Sequence, residues 1–378
     1  MDRPRSGDRS LGGNVALRAL AVLAVATALM LGGATAAHAT DSITPSVITN
    51  GSTTDIAVQG PDNELTLYWS VDGQSTWTAV PVAGPGTTYS APSMILSGST
   101  VAISAMGPDN DLVFYWATIG DFGTGNWMSE TVAGVDTTYS APSMILNGNT
   151  FAISAMGPGN DLDFYWATIT TDGTGTWTPE PVGGSDTTYS APSMTLDGDA
   201  IAISVVGPKD TVWLYWAVIG TGTWNSEVVA GSFSAYSAPS MILNGNTIDI
   251  SFSCQGSSLC FYSAPSDIGT GGWTWGYVTF GDADSPPAMI LNGNGVDISV
   301  LGPDDSLDIY WQPDGSSTWT PQTVAGADTA YSVPAMVISG NGVDITAAGP
   351  DGSLYDYWAE NGTSNWSFAA VALPGSVA

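Results

Sequence analysis

The sequence predicts an all-β fold, a seven-bladed β-propeller built from seven repeats, and three observations carry that prediction. A phrase of 47–50 residues recurs seven times along the chain. Each copy breaks into four short apolar stretches rich in Val, Ile, Tyr, Phe and Trp, separated by Gly, Pro, Asn and Asp, the pattern of strands joined in hairpins. No window carries a helical period with capping residues. Self-similarity at this period marks a repeat architecture, and four antiparallel strands per repeat make up a propeller blade.

Aligned on the proline of the opening phrase, the copies begin near Ser42, Tyr89, Tyr139, Tyr189, Tyr236, Asp284 and Tyr331. The blades are therefore expected near 42–88, 89–138, 139–188, 189–235, 236–283, 284–330 and 331–378, so that residues 40–378 form one array. In the second copy the strands are expected at 91–96, 101–106, 112–118 and 127–133. The turns between them are Ser97-Gly98, Gly107-Pro108-Asp109-Asn110 and a Gly-rich loop to Gly125. The array starts on a first strand and ends after a fourth, which predicts a ring closed by whole blades.

The third strand alternates. Leu112, Phe114 and Trp116 point to one face, and Val113 and Tyr115 to the other. A blade packs both faces on neighbours, so apolar side chains are expected on both. The first set recurs as Leu65/Leu67/Trp69, Leu162/Phe164/Trp166, Val212/Leu214/Trp216, Leu307/Ile309/Trp311 and Leu354/Tyr357/Trp358, the last with Asp356 where an apolar residue is expected. A further Trp opens every fourth strand, at Trp77, Trp127, Trp177, Trp224, Trp273, Trp319 and Trp366. Occurring once per blade, it reads first as an inter-blade packing residue. The fifth copy departs from the pattern. Cys254 and Cys260 flank its second hairpin, and Ser263 stands where other copies have Trp. In an oxidising compartment these cysteines are expected to form a disulfide that compensates for the lost Trp.

Residues 1–39 read as a secretory signal peptide: Arg3, Arg5, Arg9 and Arg18, an apolar run from about Ala19 to Leu31, and Ala37-His38-Ala39 as a cleavage pattern. The apolar run is shorter than the ~20 residues of a bilayer span, which disfavours the alternative of a membrane anchor. A secreted, extracellular protein is expected, without membrane insertion. Past residue 39 one basic side chain, Lys209, faces 33 acidic ones, the 35 of the whole chain less Asp2 and Asp8. Such a polyanion repels nucleic acid and anionic membranes and favours neutral or cationic partners.

The repeats contain no His, which excludes Ser-His-Asp and Cys-His nucleophiles and histidine zinc sites. A pair of carboxylates acting as in glycosidases remains as a route to catalysis. The phrases of the innermost strands, such as SAPSMIL and SAPSMTL, carry no Asp or Glu, and the acids elsewhere recur from blade to blade, whereas a catalytic site is singular. No catalytic residue, metal or cofactor is expected.

The recurring polar groups lie in two loops. The second hairpin carries Asp62, Asn63, Asp109, Asn110, Asp111, Asn160, Asp161 and Asp304. The connection into the next blade carries Asp136, Tyr139, Ser140, Asp186, Tyr189, Asp328 and Tyr331. In an up-and-down blade both loops emerge on one face of the disc. Carboxylates, amides and hydroxyls beside a Tyr ring are what sugars are bound by, and repetition gives several weak sites. The competing reading is that Asp and Asn are simply good turn formers and that Tyr seals the blade junction.

The run from Ala91-Pro92 through Gly107-Pro108-Asp109-Asn110-Asp111-Leu112-Val113-Phe114-Tyr115-Trp116 to Trp127 resembles bacterial seven-bladed propeller lectins of the PLL type. The resemblance covers essentially all of the repeat array. It implies glycan binding, with fucosylated sugars among the ligands. The expectation is a monomeric, non-enzymatic, carbohydrate-binding propeller for neutral glycans or polysaccharide. The alternatives are a protein-interaction or structural envelope propeller and a carboxylate glycosidase.

Overall fold

The computed structural model describes residues 44–71, 75–118, 126–170, 173–266, 271–293, 295–313 and 315–378. The expected signal peptide and the start of the first copy lie outside these residues, as does the Gly-rich loop of the second copy. Among the described residues every regular element is a strand. The strands form seven antiparallel sheets, each built from four strands consecutive in sequence. In the third blade an additional short strand, Gly173–Thr174, lies between the third and fourth in sequence and pairs antiparallel with the end of the third, Leu162–Thr170. The second blade consists of Ser93–Ser97, Thr100–Met106, Leu112–Thr118 and Met128–Ala133, within two residues of expectation.

The first strands stand around the axis. They are Ser46–Thr49, Ser93–Ser97, Ser143–Asn147, Ser193–Asp197, Ser240–Asn244, Ala288–Asn292 and Ala335–Ser339, each beside the next and the last beside the first. The fourth of them reaches Asp197, one residue past the phrase read as free of acids. Serines tie this ring. Ser46, Ser93, Ser143 and Ser193 each accept, through Oγ, the backbone N–H of a methionine in the next blade, at 3.0–3.2 Å. In blades two and three the turn from first to second strand holds two residues and begins with Gly near φ +60°, at Gly98 and Gly148. This is the left-handed conformation a type II′ hairpin needs at that place.

The core lies between blades, because each sheet is apolar on both faces. Leu112 and Phe114 pack with Phe151 and Tyr165 of the third blade, while Tyr115 and Val113 pack with Leu65 and Leu67 of the first. The Trp opening each fourth strand reaches back to the preceding blade. Trp177 meets Phe114 edge-on at 5.4 Å, Trp224 meets Phe164 at 5.2 Å and Trp319 meets Phe261 at 5.2 Å. Burying one such Phe contributes on the order of 1.5–3 kcal/mol.

Two expectations are corrected. In the seventh blade Tyr357 packs toward the sixth, whereas Leu354 faces the first. Asp356, not Tyr357, takes the middle position of the Leu354/Trp358 face, because side chains alternate without a bulge there. Cys254 and Cys260 are bonded, with Cα atoms 5.9 Å apart. They sit on the face toward the fourth blade, at the hairpin end. Ser263 shares the other face, with Leu259 and Phe261, so the disulfide does not fill the space the missing Trp leaves. It braces the turn instead.

Blades are joined by the connection from a fourth strand to the next first strand. The N–H of Asp136 donates to Asp109 O, and those of Thr137 and Thr138 to Asn110 O, all within 2.8–2.9 Å. Tyr139 N then donates to Met156 O of the following blade at 2.7 Å. The C-terminal residues copy this stitch. Ser376 and Val377 donate to Gly352 O, and Ala378 N donates to Gln59 O of the first blade at 3.2 Å. Whole blades therefore close the ring, as the repeat phase predicts. In these connections a serine completes the join: Ser140 Oγ accepts Met156 N–H at 3.0 Å, and Ser90, Ser190, Ser237, Ser285 and Ser332 accept the corresponding backbone N–H in their blades. Ser140→Ala leaves that N–H without its acceptor and is expected to lower stability by about 1–2 kcal/mol in urea unfolding. An unchanged midpoint would show that the hydroxyl does not hold the blade.

Candidate functional site

The second hairpin and the inter-blade connection do emerge together, since the hydrogen bonds just described run between them. Their geometry explains much of their composition. Asn63, Asn110 and Asn160 adopt φ of 54–58° at the third residue of the hairpin turn, and Asp136, Asp186 and Asp328 adopt φ of 58–61° in the connection. Among residues with a side chain, Asn and Asp tolerate this left-handed conformation best. Their backbone carbonyls are also committed: Asn63 O accepts Thr87 and Thr88 N–H, and Asn160 O accepts Thr187 and Thr188 N–H.

The side chains divide. Ser140 is buried and turned into the blade. Asp161 Oδ1 accepts Gly159 N–H at 2.8 Å, and Asn63 Oδ1 accepts Gln59 Nε2–H at 2.8 Å. Asp111 Oδ1 is buried without a hydrogen-bond partner. Tyr139, Tyr189 and Tyr331 are 36–40% exposed. Tyr139 donates its hydroxyl to Asp136 and Tyr189 to Asp186, at 3.2 and 3.0 Å. Burial first, then the charges of Asp305 and Asp328, raise the Tyr331 phenol above its ordinary value. Asp62, Asp109 and Asp304 accept backbone N–H groups of the connection through their carbonyls. The structure thus brings hairpin and connection residues together blade by blade. It forms repeated small clusters, each an exposed Tyr beside an Asp, and not one convergent pocket.

One of these clusters carries a perturbed acid. Asp163, beside Asp161, is pushed up to about 6, first by burial and then by the neighbouring carboxylate.

Two cavities open on the other face of the disc, among first-to-second-strand turns and third-to-fourth-strand loops. A cleft of about 770 Å³ lies between the sixth and seventh blades. Trp311, 38% exposed, forms one wall, with Asn292, Asp297, Gln322, Glu360 and Trp366 around it. Asp297 is buried, and burial raises its carboxyl while the Asn292 amide, 2.7 Å away, lowers it. Gln322 occupies the place of Glu130 and Glu227, which accept Trp177 and Trp273 Nε1–H from the next blade at 2.6 and 3.1 Å. Here the corresponding donors, Gln322 Nε2 and Trp366 Nε1, are buried without a partner. A second cavity, about 250 Å³, lies between the seventh and first blades and is lined by Thr54, Trp77, Asp344, Asp356 and Trp358.

Sequence reasoning missed this face. A signal was present in the strand register. Opposite the third-strand Trp position, the second strand has Ala102, Ala152 and Ala202 in blades two to four, but Asp249, Asp297, Asp344 and Asp55 in blades five, six, seven and one. The buried acids occupy one continuous arc of the ring.

No protein-family model matches the sequence, and no curated protein sequence matches it. Among solved structures, the BP39L lectin from Burkholderia pseudomallei superposes with a TM-score of 0.75 at 18% identity, over 89% of this chain and 99% of the lectin. The two chains share one fold. An Aleuria aurantia lectin mutant in complex with alpha-methyl-L-fucoside gives 0.52 at 13% identity, over 90% of this chain and 97% of that one. The β-propeller domain of the Trilobed protease from Pyrococcus furiosus, which has an open velcro topology, gives 0.51 at 12% identity, over 87% and 97%. The architecture is thus shared by lectins and by a protease domain, and at these identities the likeness is one of fold.

Asp163 gives the candidate face a pH signature. Its folded pKa lies above the value of about 3.8 expected when unfolded, so its contribution to stability is fully present below about pH 4 and is lost as pH rises through about 6. Asp163→Asn has no such charge to acquire. It is expected to raise the melting temperature relative to the parent at pH 7, with the gain shrinking toward pH 4; an equal change at both pH values would remove Asp163 as the cause.

Proposed function

We propose that the protein is a secreted, non-enzymatic, lectin-like propeller that binds neutral glycans or polysaccharide. The cleft between blades six and seven carries the reading. It combines an exposed indole face at Trp311, carboxylates at Asp297 and Glu360, amides at Asn292 and Asn361, and unpartnered donors on Gln322 and Trp366. Such a set stacks on a pyranose ring and hydrogen-bonds its hydroxyls. The Tyr–Asp clusters of the opposite face, around Tyr139, Tyr189 and Tyr331, offer a second, weaker and repeated mode. The fold shared with lectins, one of them solved with a fucoside, supports the sugar class.

A glycan and polysaccharide screen on the chain lacking residues 1–39, with and without calcium, tests the proposal. Binding to neutral glycans is expected, with affinity reduced roughly tenfold or more by Trp311→Ala, from the loss of ring stacking worth about 1–3 kcal/mol. Tyr139→Ala combined with Asp109→Ala reports on the opposite face. A silent screen would sink the lectin reading. Export itself is tested by sequencing the N-terminus of protein recovered from medium, which is expected to begin near Thr40; an intact Met1 would refute it.

One observation favours a protein-interaction reading as the alternative. The outer strand of blade five, Thr274–Thr279, exposes Trp275 (58%) and Tyr277 (43%), with Phe280 (70%) just beyond. Their rings touch one another in sequence, at 5.5 and 4.4 Å between centroids. An exposed aromatic patch on one blade suits a partner surface.

A further inference from the structure

The junction between blades six and seven lacks a contact that other junctions make. Glu130 and Glu227 each accept the indole N–H of the Trp that opens the next blade's fourth strand, at 2.6 and 3.1 Å. Gln322 holds that place in blade six, and the Trp across the junction is Trp366. A carboxylate only accepts hydrogen bonds, whereas an amide also donates them. Gln322 Nε2 and Trp366 Nε1 are both buried without a hydrogen-bond partner, and both residues line the 770 Å³ cleft. Turning the Gln322 amide over would give Trp366 an acceptor, but Nε2 would then take the place of Oε1 and still lack one of its own. In either orientation an N–H is left that needs an oxygen, and leaving it unmade is costly.

The strand register places the other groups around these donors. Asp297, Trp311 and Thr320 form one row across the sheet of blade six, and Ser299, Ile309 and Gln322 form the next row on the same face. A ring laid on the Trp311 indole therefore has Asp297 on one side and Gln322 on the other. Asp297 is 5% exposed and accepts Asn292 Nδ2–H at 2.7 Å through Oδ2, and among the described residues no donor reaches Oδ1. The Asn292 and Asn361 amides are spent on each other, exchanging two bonds of 2.9 Å across the junction. Ile309, Pro321, Val343 and Ala359 supply apolar lining. The cleft thus offers donors on one side of an indole, an acceptor on the other, and an apolar wall.

We infer that this cleft selects sugars carrying an acetamido group, and that Gln322 sets the preference. The inference rests on the reading of the cleft as a glycan site and names the sugar. The pyranose ring lies against Trp311. The acetamido carbonyl, with two lone pairs, accepts Gln322 Nε2–H and Trp366 Nε1–H. The acetamido N–H donates to Asp297, and the methyl rests on the apolar lining. A lone hydroxyl holds its acceptor and its donor on one oxygen, whereas Gln322 and Asp297 lie on opposite sides of the middle strand. A protonated amine only donates, so the N–H groups of Gln322 and Trp366 stay unmet. A uronic acid brings a carboxylate against Asp297 and Glu360 in a chain of net charge -30.

Calorimetric titration of the chain lacking residues 1–39 tests it, with the β-1,4-linked trimer of N-acetyl-D-glucosamine as probe against the β-1,4-linked trimers of D-glucose and D-glucosamine. The acetylated trimer is expected to bind about tenfold or more tightly than either, since a site built to hydrogen-bond a group rejects the analogue lacking it. Gln322→Glu installs the residue of blades two, three and four. It is expected to fold with an unlowered melting temperature and to weaken binding of the acetylated trimer about tenfold, because a carboxylate cannot donate to the carbonyl. Asp297→Ala, which installs the residue found at that register in blades two to four, is also expected to weaken it. Glucose or glucosamine trimer bound as tightly as the acetylated one, or a folded Gln322→Glu variant with unaltered preference, would overturn the inference and leave the glycan reading standing. Should none of the trimers bind, the inference falls, and the broader glycan screen decides the glycan reading separately.

Discussion

A blade of this protein cannot bury its own hydrophobic surface. The third strand is apolar on both faces, with Phe114 facing one neighbour and Tyr115 the other, so each sheet leaves two apolar sides open until it is flanked. The fourth-strand Trp answers this constraint by reaching back onto the preceding blade, as Trp177 does on Phe114. Every other regularity depends on the requirement that each side have a neighbour. The ring must close, and the closing junction must cover the open sides of the first and last blades. The terminal residues therefore repeat the backbone stitch, with Ala378 donating to Gln59 as Tyr139 donates to Met156.

The same constraint orders the polar groups. Where the chain leaves one blade for the next it needs left-handed residues at two places, and Asn or Asp supplies both in blades two, three and six on the hairpin face. Repeated Asp and Asn there have a structural cause whatever else they do. Function has more room where the repeat is broken. Gln322 stands where blades two, three and four have Glu, and Asp356 where the other blades have Phe, Leu or Ile. Both changes coincide with cavities on the opposite face. In a ring whose junctions are variations on one contact, a junction that forgoes ring-on-ring packing for a buried acid is the more informative one.

Blade number, strand order and inter-blade Trp packing were legible because each is written seven times. A signal repeated at fixed spacing survives local variation, and the alternation of Leu112, Val113, Phe114 and Tyr115 assigns faces without reference to anything distant. Where the repeat lapsed, reading failed. The apolar set of blade seven drew in Tyr357 because an aspartate in a buried column runs against expectation, though the register places Asp356 there. The disulfide bond was foreseeable from its spacing, but the face it occupies was not.

The sequence by itself determined the architecture, the near absence of cations and the exclusion of histidine chemistry, since these follow from period and composition. Tertiary structure alone decided which acids are buried together. Asp344 and Asp356 belong to blade seven, but Thr54 and Trp77 come from blade one, almost 300 residues earlier. Only ring closure brings them to one cavity. Burial depends on what the neighbouring blade presents, and a single repeat read alone holds no information about its neighbour's side chains.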